Sequence, residues 1–149
     1  MTFKEKVYQR FLQVMNNKIS LLQQNLDSLS FSARNETKRT AGDKHATALA
    51  MLQIEQENLR SQLNEAKNQQ SVIQKLDPAV MLSRIGPGAL VKTSQGFFFI
   101  SIAIGKIREE GIEVISLSLQ SPLGSRLYGL VPGQELILNT RSYFIEEVS

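Results

Sequence analysis

Apolar residues fall at Tyr8, Leu12, Met15, Ile19, Leu22, Leu26 and Leu29, in alternating steps of four and three. That spacing makes a heptad seam along one face of an α-helix. No Gly or Pro interrupts residues 3–33. The pattern therefore predicts a helix of roughly 30 residues, about 45 Å long at ~1.5 Å per residue. A second heptad series runs through Leu49, Leu52, Gln56, Leu59, Leu63, Ala66, Gln70 and Ile73. Its two glutamines put polar groups into the seam, which fixes register at some cost in stability. Between the series, Ser32 to Gly42 is polar, carries no periodic apolar residue and holds the first Gly of the chain. Two helices of similar length around a short polar reversal predict an antiparallel hairpin. Each buries its stripe against the other, since neither is stable alone.

The periodicity changes after Leu76-Asp77-Pro78, where Pro disfavours a helical residue before it. Ala89–Thr93, Phe97–Ile104 and Ile112–Leu119 are rich in β-branched and aromatic residues and read as strands. Ser94-Gln95-Gly96 and Glu109-Glu110-Gly111 read as the turns between them. Phe97–Ile104 is apolar on both faces and should be central. Ser121-Pro122 supplies an N-cap and a Pro at the first helical position, opening a short helix that ends near Gly129. Glu135–Leu138 and Ser142–Val148 close the sheet as a last hairpin. The expected class is α+β: a coiled-coil hairpin over residues 1–76 with its tip near 33–43, then a small antiparallel sheet with one short helix over 77–149.

Composition narrows the function classes. Hydrophobic residues make up 42% and charged residues 21% of 149, the mix of an ordered chain. The absence of cysteine excludes disulfide scaffolds, thiolate metal sites and cysteine nucleophiles. The start, Met1-Thr2-Phe3-Lys4-Glu5-Lys6, has no apolar signal core. Phe97–Ile104 is far shorter than the ~20 residues of a membrane span. A cytoplasmic protein without membrane contact is the expectation. Net charge is +3: residues 1–76 carry 11 basic against 7 acidic groups, and residues 77–149 carry 6 against 7. That excess is too mild to argue for a polyanionic partner.

Asp43 falls in the first turn of the second helix, where the dipole favours a negative charge, and Thr40 with Asp43 fits a helix start. Arg34, Lys38, Arg39 and Lys44 surround the turn. They read as a solvated loop or as contacts to phosphate or acidic groups, with no aromatic interleaved for base stacking. His45 is the only His, so a zinc site built on it is not expected. Phe97, Phe98 and Phe99 read as core packing. The flanks Val7, Phe11, Val14 and Leu21 offer an apolar surface that could pair two copies.

The stretch Ser121-Pro122-Leu123-Gly124-Ser125-Arg126-Leu127-Tyr128-Gly129-Leu130-Val131-Pro132-Gly133-Gln134-Glu135-Leu136 resembles the Gre family of bacterial transcription elongation factors. That family carries a similar Ser-Pro-Leu, small residue, Leu, Gly and Gly-Asp/Gln run before its last strands. Gly42-Asp43 is similar to the Gly-Asp at the tip of the family's coiled coil. With length and domain order, the resemblance covers essentially the whole chain. It implies an FKBP-like C-terminal domain that binds RNA polymerase at the rim of its secondary channel, with Ser121, Pro122 and Leu123 among the contacts. It also implies a hairpin tip inside the channel, where Arg34, Lys38, Arg39 and Lys44 meet polymerase or, indirectly, RNA.

Tip acids of the family help hold the second catalytic magnesium for hydrolysis of backtracked RNA. Two-metal phosphodiester cleavage needs such anionic ligands. Asp43 matches the first tip acid, and Glu36 lies in the same reversal. The family has a Glu three residues after that Asp, and here the position is Ala46. The implied protein is thus an accessory factor rather than an enzyme. It has no cofactor of its own, and magnesium is shared only within the polymerase complex. It is a monomer that either stimulates cleavage or modulates the polymerase without it. A self-associating coiled-coil module is the alternative.

Overall fold

The computed structural model describes the backbone of residues 1–37 and 43–149 and the side chains of residues 1–35 and 46–149. Helix α1 spans Phe3–Thr37 and α2 spans Asp43–Gln74. A capping box opens α1: the Glu5 N–H donates to Thr2 Oγ1 at 3.1 Å, and the Thr2 N–H donates back to Glu5 Oε1 at 3.4 Å. After α2, Asp77 Oδ1 accepts the Ala79 N–H at 2.9 Å and turns the chain.

Contacts divide the chain into two compact units, residues 15–70 and residues 1–14 with 71–149. Within residues 15–70 the heptad positions face inward: Met15, Leu22, Leu26, Leu63 and Ala66 are buried. Both polar interruptions have partners on the opposite helix. Gln56 Nε2 donates to Ser30 Oγ at 3.1 Å, and Gln70 Nε2 donates to Asn16 Oδ1 at 2.6 Å. From the first pair to the second, α1 steps back two heptads while α2 steps forward two, which is antiparallel pairing in one fixed register.

The other unit is a six-stranded sheet with a short helix: β1 (Leu90–Thr93), β2 (Gly96–Ser101), β3 (Lys106–Glu109), β4 (Ile112–Ser118), α3 (Pro122–Leu127), β5 (Glu135–Leu138) and β6 (Arg141–Val148). The order is β3-β4-β2-β1-β6-β5, so the Phe-rich β2 is internal as its two apolar faces require. Two expectations are corrected. Strand β2 stops at Ser101 rather than Ile104, and β3 intervenes before β4. Strand β3 makes a tight hairpin with β4 through Glu110 and Gly111 (φ 53° and 76°), so β4 runs in the same direction as β2. The sheet is therefore mixed, not wholly antiparallel.

One sheet face packs Val91, Phe98, Ile100, Leu136, Tyr143 and Ile145 against Leu127 of α3 and against Ile85 and Ala89. The opposite face is covered by the first three turns of α1. Phe11 stacks on Phe99 with ring centroids 5.7 Å apart, Tyr8 meets Phe99 edge-on, and Phe3 meets Phe97 edge-on. Val7 and Phe11 are both 0% exposed, so those two flank positions are not available to a second copy. Cations border the seam. Lys4 is buried and donates from Nζ to the Val80 carbonyl at 2.6 Å; burial pushes its pKa down, with Asp77 opposing in part. Lys6 pairs with Glu110 at 2.6 Å, which raises the Lys6 pKa, and Arg10 pairs with Glu109 at 3.2 Å.

Candidate functional site

The hairpin turn and the Ser121–Leu123 segment are the two places the sequence marks for function. At the turn, α1 ends at Thr37 and α2 begins at Asp43, which puts Asp43 at the first position of a helix as the sequence implies. Lys38 and Arg39 lie outside the described residues, as do the side chains of Glu36, Asp43 and Lys44. Arg34 is exposed in the last turn of α1 and is engaged in a contact. Ala46 is exposed on the first turn of α2, so no carboxylate stands three residues beyond Asp43. The two cross-helix pairs agree on one register. The pairs Asn16–Gln70 and Ser30–Gln56 are each centred on position 43.

The donor set can be weighed for a metal. Between Arg34 and Ala46 the chain has two carboxylates, Glu36 and Asp43. A magnesium ion commonly takes one or two protein carboxylates and completes its shell with water and substrate phosphate. The set suits a shared ion and falls short of a site built by one chain. Among the described residues no three His, Asp or Glu side chains gather.

The Ser121–Gly124 segment is shaped by backbone hydrogen bonding. Ser121 Oγ accepts the Gly124 N–H at 3.0 Å and donates to the Ser118 carbonyl at 2.6 Å. Pro122 takes the first helical position, where no N–H is needed. A Cβ on Gly124 would stand 1.9 Å from the Ser118 oxygen, so the helix lies against the end of β4 only with Gly there. Leu123 is half-buried against the sheet core, and Pro122 alone of the three candidate contacts is exposed. The motif thus has a structural reason in every residue. Sequence reasoning did not single out several exposed apolar residues of this unit, among them Met81 at 62%, Tyr128 at 61%, Ile137 at 61% and Phe144 at 43%. Strand alternation could have flagged Ile137 and Phe144, which lie on the face away from Leu136 and Tyr143.

No helix among the described residues is long and apolar enough to cross a membrane. No family model matches the chain, and no curated protein matches it. Among solved structures it is similar to one described as "Structure of the transcription factor Gfh1", at 14% identity over 95% of this chain and 92% of that one, with a TM-score of 0.36.

Proposed function

We propose that this protein is a Gre-like regulator of transcription that binds RNA polymerase. Its C-terminal domain docks on the rim of the secondary channel, and its hairpin tip enters the channel. The observation that carries the reading is an acid, Asp43, at the first position of α2 and at the register centre of a long antiparallel hairpin. The Ser121–Leu136 stretch supports it from sequence. In the complex, Asp43, joined by Glu36, offers carboxylate oxygens to a magnesium ion that the polymerase and the RNA phosphate also hold. When bound, such an ion would supply Lewis-acid polarisation of the phosphodiester. This chain's own part is to hold the anionic oxygens in place. With Ala46 in place of a second acid, the tip brings less charge, and modulation without cleavage is a reading of equal standing.

The test is a stalled, backtracked elongation complex incubated with the protein and magnesium, with RNA followed on a gel. Asp43→Asn and Glu36→Gln run beside the wild type. Cleavage that depends on Asp43 establishes a cleavage factor. Competition against a known cleavage factor without cleavage establishes a modulator in the same channel. Neither activity removes the polymerase from the account.

A further inference from the structure

Within residues 15–70 the outer faces of the hairpin are polar except at one level. Phe31 stands two residues from Leu29 and from Ala33, and Ile54 stands two residues from Leu52 and from Gln56. Those four are seam positions, buried or half-buried. Two residues turn a helix by about 200°, so Phe31 and Ile54 point away from the seam, each on the back of its own helix. Both are exposed, Phe31 at 59% and Ile54 at 62%. At seven-residue steps the same stripe reads Asn17, Gln24 and Phe31 on α1, and Thr47, Ile54, Ser61 and Asn68 on α2, all of them exposed. Phe31 and Ile54 are its two apolar members.

The register brings these two to one height. The pairs Asn16–Gln70 and Ser30–Gln56 put Phe31 level with Glu55, one residue or about 1.5 Å along the axis from Ile54. Met51, exposed at 60%, lies about one turn from Ile54 and widens the patch on α2. One heptad further from the turn the same register sets Gln24 beside Ser61, and two heptads further Asn17 beside Asn68. Two opposed apolar patches at one height select the shape of what covers them. A flat surface covers one of them. A second copy joined about a two-fold axis also covers one, patch on patch, and leaves the other in water. A body that encloses the hairpin covers both. With helices 10–12 Å thick and axes 8–10 Å apart, the span from back to back is about 20 Å.

We infer that the hairpin is gripped by a collar: two opposite apolar walls of one partner, about 20 Å apart, which bury Phe31 on one side and Ile54 with Met51 on the other. The inference rests on the polymerase reading for the identity of the enclosing body, and adds to it where the channel holds the hairpin. The level is that of Phe31, about 9 Å before α1 ends at Thr37. The collar also sets how deep the tip goes. Advancing the hairpin by one heptad, about 10 Å, would press Gln24 and Ser61 against apolar walls, and burying such polar groups without partners is costly. The two patches are anchors within a larger contact, where a few well-buried apolar residues carry most of the affinity.

The test is calorimetric titration of the full chain into a stalled elongation complex, with Phe31→Gln, Ile54→Gln and Leu21→Gln beside the wild type. Leu21 is the control: it is exposed at 59%, like Phe31, but lies ten residues away, about 15 Å from the collar. Phe31→Gln and Ile54→Gln should each weaken binding at least about fivefold, and Leu21→Gln should stay within about twofold. Circular dichroism melts confirm that the variants are folded. Loss from one of the two patches alone, or from neither, with the wild type binding, overturns the collar and leaves the polymerase reading standing. An equal loss from Leu21→Gln does the same. A wild type that does not bind overturns both. Sedimentation equilibrium of the protein by itself covers the remaining occupant: a dimer that Phe31→Gln or Ile54→Gln dissolves assigns the patch to a second copy and overturns the collar.

Discussion

At Gly124 a single hydrogen in place of a methyl group decides whether α3 can lie against the end of β4. The Ser118 oxygen would meet a Cβ at 1.9 Å, and neither that carbonyl nor the Ser121 cap can yield alone. Gly124→Ala should cost roughly 3 kcal/mol or more, as overpacking against backbone does. A thermal melt within a degree or two of wild type would show the contact to be soft. Lys4 is a different kind of residue-scale strain. Its buried ammonium holds its proton less tightly than in the unfolded chain, whose value is 10.5. The charge therefore costs stability below the folded pKa, and the cost fades as pH rises toward 10.5. Wild type should gain on Lys4→Met between about pH 7.5 and about pH 10 in urea titrations. A difference that does not change with pH would place the Lys4 charge in water. Lys6 works in the opposite sense. Its raised pKa gives stability that is present below 10.5 and lost as pH rises past it, so the two windows do not overlap.

Among elements, α1 carries the plainest test. Its first half has two apolar stripes: Tyr8, Leu12 and Met15, and beside them Phe3, Val7, Phe11 and Val14. A helix with one partner needs only one stripe. The second was visible in the sequence as a flank, and what it could not give was the identity of the covering surface, the Phe97 and Phe99 face of β2. Phe11→Ala should cost about 3–5 kcal/mol, because the ring is fully buried in a stack. Phe31→Ala, at a residue 59% exposed, should stay within about 0.5 kcal/mol. Equal losses from the two in denaturant titrations would remove α1 from the sheet core. The helices, the capped α3 and the last hairpin were readable from spacing and turn chemistry. Strand β3 was not, because Ile107 is its only apolar residue, while the apolar Ile102–Ile104 run drew the expected strand past its true end. Parallel pairing of β2 with β4 depends on that missed strand, so it was hidden with it. The candidate tip acids came from resemblance, since first-turn carboxylates are ordinary helix starts.

For the molecule as a whole, the sheet unit is discontinuous in sequence: residues 1–14 complete what residues 71–149 begin. A fragment of residues 77–149 should lack cooperative unfolding, because Phe97 and Phe99 lose the side chains that cover them. A chain in which residues 15–70 are replaced by a loop of about five residues should keep it, since short loops of this length join antiparallel helices. A sharp calorimetric transition from the 77–149 fragment would sink this division of the fold.

Phe11 rests on Phe99, and that pairing has a consequence for synthesis. At about 5–20 residues per second, a ribosome that has made Phe11 needs roughly 4–18 s more to reach Phe99. Through that interval the nascent chain carries Val7 and Phe11 uncovered, a ready target for a chaperone at the tunnel exit. A segment made well before its sheet partner is among the last to find its place.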